Sequence, residues 1–73
     1  MAKIKFSISG KEYSLFTKEF IVSEDACRLD ISKTNENLIF LLGLSNEHFL
    51  DLLVCEESLF IFIPISSIQE ISW

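Results

Sequence analysis

The run Leu59-Phe60-Ile61-Phe62-Ile63-Pro64-Ile65 is β-branched or aromatic at nearly every position, which no other part of this chain matches. Such a run is a strand, and Pro64, which cannot donate to a ladder, requires it to end there or to lie at a sheet edge. The residues that follow, Ser66-Ser67-Ile68-Gln69-Glu70-Ile71-Ser72-Trp73, allow one tight 3₁₀ turn and a last short strand. Upstream, Glu56-Glu57-Ser58 is polar enough to be a hairpin turn leading into the run.

Period-two alternation recurs earlier. Ile4, Phe6 and Ile8 alternate with Lys5, Ser7 and Ser9, which predicts a half-buried strand over Lys3–Ser9. Gly10 in Ser9-Gly10-Lys11 supplies the positive φ a hairpin turn needs, with Glu12–Phe16 as the returning strand. Cys27, Leu29 and Ile31 alternate with Arg28, Asp30 and Ser32, a further strand over Ala26–Ser32. Between them, Phe16–Asp25 is mixed and reads as irregular or a short strand. Lys33-Thr34-Asn35-Glu36-Asn37 is a turn-rich polar pentad. Leu38–Leu44 is continuously apolar and carries Gly43, which predicts a strand buried on both faces and bent at the glycine. Ser45–Glu57 has two readings. As a helix it would be capped by Ser45, with Phe49, Leu50, Leu52, Leu53 and Val54 on one arc. As a strand it would turn Leu50, Leu52 and Val54 inward, and the strand is preferred because a hairpin and the strongest strand follow.

The expected fold is therefore mostly β: one domain over residues 1–73, forming a small five- to seven-stranded barrel or a strongly bent antiparallel sheet with an N-terminal hairpin. The alternative is α+β with a helix at 46–56. No repeat or linker divides the chain.

The ending, Glu47–Val54, then Leu59–Ile65, then Ile68 with Ile71, resembles the C-terminal half of Sm-like and SH3-like small barrels. There a bent strand and a hairpin lead through an Ile-Pro-Ile-Ser-Ser-Ile turn to a closing strand. The resemblance covers about half of the chain. It implies subunits that pair by edge strands into rings and, for many members, RNA binding. The family's uridine-holding Asp and Asn or Gly positions are not found here, and the basic residues expected near a pore are missing from this half.

Charge separates the function classes. All six basic residues lie in the first 33 positions, against five acids, whereas from Thr34 onward six acids stand with no Lys or Arg. An acidic second half repels phosphate backbones. Nucleic-acid contact would fall to Lys3, Lys5, Lys11 and Tyr13, an interleaving of cations and aromatics that also describes the wet face of a hairpin. Glu56, Glu57, Glu47 and Asp51 would present an acidic surface to a basic protein or a small-molecule partner. His48 with Asp51 would be an acid/base pair, but no third group or activated nucleophile accompanies them, and a surface histidine is the simpler reading. Cys27 and Cys55 have no ligand spacing around them, so no metal or other cofactor is expected. The start Met1-Ala2-Lys3-Ile4-Lys5 has no signal-like apolar core and no stretch is long enough to span a bilayer, so a cytoplasmic chain without membrane contact is expected.

Hydrophobic residues make up 49% of the chain, a large share for so small an interior. The surplus points to a subunit interface. Phe60 and Phe62 share one strand face, and if Ile61 and Ile63 are buried the phenylalanines lie outside, needing the N-terminal hairpin or a second chain as cover. Trp73 with Ile71 would extend that apolar face. The functional expectation is a non-enzymatic binding or assembly module, self-associating as a homo-oligomer. An Sm-like RNA binder is one alternative, and a small acidic inhibitor that mimics nucleic acid, of the phage or anti-defence type, is the other.

Overall fold

The computed structural model describes residues 1–32 and 35–73. Among them the chain is mostly β: β1 (Ala2–Ile8), β2 (Lys11–Thr17), β3 (Glu19–Val22), β4 (Ala26–Ser32), α1 (Asn35–His48), β5 (Leu52–Val54), β6 (Ser58–Pro64), a 3₁₀ turn (Ile65–Ser67) and β7 (Ile68–Ser72). The strands form two antiparallel sheets, ordered β2-β1-β7 and β3-β4-β6-β5. The sheets do not join into a closed barrel, which corrects that half of the expectation and leaves the bent antiparallel arrangement.

Two corners carry the chain from one sheet to the other. At the first, β2 bends into β3 at Thr17, whose buried hydroxyl donates to the carbonyls of Glu19 and Asp30, the latter at 2.8 Å. Lys18 N–H donates to the same Asp30 carbonyl at 2.9 Å, so β4 is clamped to the bend. At the second corner β6 ends at Pro64, and Ile65 N–H donates to the Asp25 carbonyl at 3.0 Å before β7 begins. The order strand, proline, 3₁₀ turn, strand is that expected from the sequence. The β1–β2 hairpin turns on Ser9 and Gly10, both with positive φ (52° and 80°), the sign pattern of a type I′ turn whose twist suits the flanking strands. The returning strand runs one residue further at each end than Glu12–Phe16.

The core lies between the sheets. Ala2, Ile4 and Phe6 of β1, Cys27, Leu29 and Ile31 of β4, and Leu59, Ile61 and Ile63 of β6 are buried, as strict alternation requires. Burial pushes the Cys27 thiol up from its ordinary pKa and makes it a small core residue.

Residues 38–44 are not a strand. They form the middle of α1, which starts in the polar pentad (positions 33–34 of the expected turn lie outside the described residues) and stops at His48. Leucine dominates the run and Ile39 is its single β-branched residue, so the intrinsic preference is helical. Gly43 sits within the helix instead of at a bend. Among the described side chains of α1, Leu41 and Leu44 are buried, while Ile39, Phe40 and Leu42 are exposed. The helix is joined to the rest through Asn37 Nδ2, donating to the Ser32 carbonyl at 3.1 Å, and through β2, β5 and β6.

Neither reading of 46–56 holds as drawn. The helix takes in only the first three of these residues, ending at His48, and only Leu52–Val54 of the expected strand forms, with Leu52 opposite Ile61. Phe49 ends the helix in left-handed backbone (φ 57°), and Leu50 N–H reaches back to the Ser45 carbonyl at 2.9 Å, closing the loop that glycine usually closes. The Phe49 side chain is 93% exposed, so it gains no burial for its backbone strain. Phe49→Gly is therefore expected to stabilise the fold by about 1 kcal/mol, raising Tm by roughly 4–8 °C in a calorimetric scan. An unchanged or lowered Tm would show that the phenylalanine ring contributes more than its exposure indicates.

Candidate protein-contact face

Inward-facing Leu29 and Ile61 fix what the other side of the four-stranded sheet presents. The registers place Ile21, Arg28 and Phe62 in one row across β3, β4 and β6, and Glu19, Asp30, Phe60 and Leu53 in the next row, extended onto β5. The result is three charged residues, Arg28 and Asp30 at the centre and Glu19 on the edge strand, set among four apolar ones. Arg28 Cζ lies 4.8 Å from the Phe60 ring centroid, a cation–π contact that holds the guanidinium against the sheet. Arg28 Nε and Asp30 Oδ1 are buried and have no hydrogen-bond partner. Each such atom costs about 1–3 kcal/mol until something satisfies it. Glu19, directly opposite Asp30, adds like-charge repulsion rather than relief.

Phe60 and Phe62 thus lie outside, as expected if the isoleucines are buried, and the N-terminal hairpin does not cover them. It gives Ile4 and Phe6 to the opposite, inner side of the sheet. The other two expected interface residues lie elsewhere. Ile71 pairs with Ile4 in the three-stranded sheet and packs on the core, and Trp73, 88% exposed, tilts against Phe20 with centroids 5.2 Å apart. No local pattern in the sequence singles out Arg28, Asp30, Ile21 and Leu53 as members of this face. The alternation of β4 puts Arg28 beside Asp30, but only long-range register puts both beside the phenylalanines.

The chain matches no family model, no curated protein and no solved structure.

The remaining residues of interest are dispersed. Lys3 and Lys5 point outward from β1; Lys3 lies 6.0 Å from the Phe16 ring and Lys5 is paired in register with Glu70. Tyr13 is on the inner side, its ring stacked on Phe6 at 5.4 Å. Its hydroxyl meets His48 Nε2 at 2.8 Å. His48 is not a surface histidine: its side chain is only 6% exposed and its hydrogen-bond partner is Tyr13, 35 residues away. Lys11 and Glu47 form an exposed ion pair beside it, and that hydrogen bond holds the Glu47 carboxyl below the usual carboxylate range. Together the two contacts fasten the end of α1 to β2. Glu56 and Glu57 form the exposed β5–β6 turn, closed by Cys55 N–H to the Ser58 carbonyl at 2.9 Å, and Asp51 is exposed while its carbonyl accepts from Phe62 N–H at 3.0 Å. Among the described residues no group of three His, Cys, Asp or Glu side chains converges, and no helix is long and apolar enough to cross a membrane.

Proposed function

We propose that this chain is a non-enzymatic assembly module that self-associates through the outer face of its four-stranded sheet. The observation that carries the reading is the make-up of that face, in which Phe60, Phe62, Ile21 and Leu53 surround an arginine and an aspartate with buried, unpaired atoms. Aromatic and arginine side chains in a largely apolar patch have the composition of an interface centre, and charges left unsatisfied in the free chain gain most from a partner. The 3₁₀ turn and the closing strand β7 are in the order implied by the resemblance to Sm-like and SH3-like barrels, which supports assembly as the class of function. The lysines give less support to RNA binding, since Lys5 stands opposite Glu70 and Lys11 is joined to Glu47. With the face covered, Glu56 and Glu57 stay exposed and offer an acidic surface to a basic partner in a cytoplasmic setting.

Light scattering after gel filtration tests this. Wild type at tens of micromolar is expected to elute with a mass that is a multiple of 8.4 kDa, and Phe60→Glu as a single chain. A monomeric wild type overturns the reading.

A further inference from the structure

We infer that the occupant of this face is a second copy of the chain, related by a two-fold axis that sets Arg28 of each protomer against Asp30 of the other. The inference rests on the self-association proposed above and adds its geometry. Arg28 and Asp30 stand on one side of β4, separated by Leu29, which points into the core. A two-fold axis running across the strands at the level of Leu29, between two facing sheets, exchanges the positions of residues 28 and 30. Each arginine then meets the aspartate of the other protomer, so the contact is made twice in the dimer, which is the reciprocity an isologous interface requires.

The same operation treats the aromatic residues correctly. Leu29 pairs with Ile61, so the axis passes over Ile61 as well and brings Phe62 of one protomer onto Phe60 of its partner. Arg28 Nε and Asp30 Oδ1 go unpaired within the chain, and a second copy brings to each of the two side chains the opposite charge that its own chain does not set against it. A foreign partner would have to bring an acid and a base at matching spacing, whereas a second copy already carries them. Stacking on Phe60 holds the guanidinium in place before association, which reduces the entropy lost on binding. Glu19, on the edge strand, falls at the rim, where an unpaired exposed carboxylate is tolerated.

The charge pattern gives a test that a general apolar contact would not pass. Arg28→Asp and Asp30→Arg each place like charges opposite one another twice in the dimer. Each variant alone is expected to self-associate roughly a hundredfold more weakly than wild type in sedimentation equilibrium. Mixed in equal amounts they are expected to form a heterodimer, identified by its mass in native mass spectrometry, because the introduced aspartate of one faces the introduced arginine of the other and the native aspartate faces the native arginine. The double variant Arg28→Asp/Asp30→Arg is expected to associate within a few-fold of wild type, which also shows that the substitutions leave the fold intact. If wild type associates but the mixture and the double variant do not, the reciprocal pairing is wrong while self-association stands. Equal association of wild type and both single variants overturns it in the same way. A monomeric wild type removes both.

Discussion

Leu41→Ala is expected to lower the unfolding free energy by about 2–5 kcal/mol, and Leu42→Ala by less than about 0.5 kcal/mol. The two leucines are neighbours in the same apolar run, but α1 places Leu41 fully in the core while Leu42 remains 47% exposed. Removing Leu41 leaves a cavity in the core where the helix meets the sheets, and the helix, whose end is fastened to β2 by the Lys11–Glu47 and Tyr13–His48 contacts, closes over it only partly. Against a total of roughly 4–11 kcal/mol for a chain of this length, the loss is a large fraction of the whole. Urea denaturation followed by circular dichroism reads both variants on one scale. Similar losses at the two positions would indicate a run buried on both faces, as in a strand, and would overturn the docking of α1 described above.

That pair of leucines also shows where the sequence stops being informative. Alternation in Ile4-Lys5-Phe6, Cys27-Arg28-Leu29 and Leu59-Phe60-Ile61 predicts strands and their buried faces, because a strand with one wet side must repeat every two residues. Pro64 and Gly10 mark a strand end and a hairpin through local backbone chemistry alone. The helix is hidden for the complementary reason: its outer face carries Ile39 and Leu42 where an ordinary surface helix carries charge, so no 3.6-residue period stands out from Leu38 to Leu44. The sequence alone makes His48 a surface residue because its partner, Tyr13, is 35 residues away. The outer face of the four-stranded sheet was half legible. Phe60 and Phe62 follow from alternation, whereas Arg28 and Asp30 join them only through the pairing of β4 with β6, a register that no local pattern encodes. Ile71 and Trp73 are apolar and near in sequence to β6, but the second corner turns Ile71 into the other sheet and leaves Trp73, just past β7, against Phe20 of the edge strand β3.

Along β6 the fold and the proposed assembly are expected to separate at adjacent residues. Ile61→Glu places a carboxylate among Ile4, Leu29 and the other core side chains with no cation inside to meet it. An unpaired buried charge costs several kcal/mol, and losing the isoleucine adds about 2–5 kcal/mol, which together match or exceed the stability available. This variant is expected to be unfolded at 25 °C, with the far-ultraviolet spectrum of a disordered chain. Phe62→Glu, one residue on, turns its carboxylate to the outer face beside Arg28, its cross-strand neighbour. It is expected to stay folded, with stability within about 1–2 kcal/mol of wild type, and to lose self-association. If Phe62→Glu unfolds the chain, Phe62 is a core residue in effect and the outer face is not free for a partner. If it folds and still associates, assembly uses another surface, and the exposed side of α1 with Ile39 and Leu42 becomes the surface to substitute next.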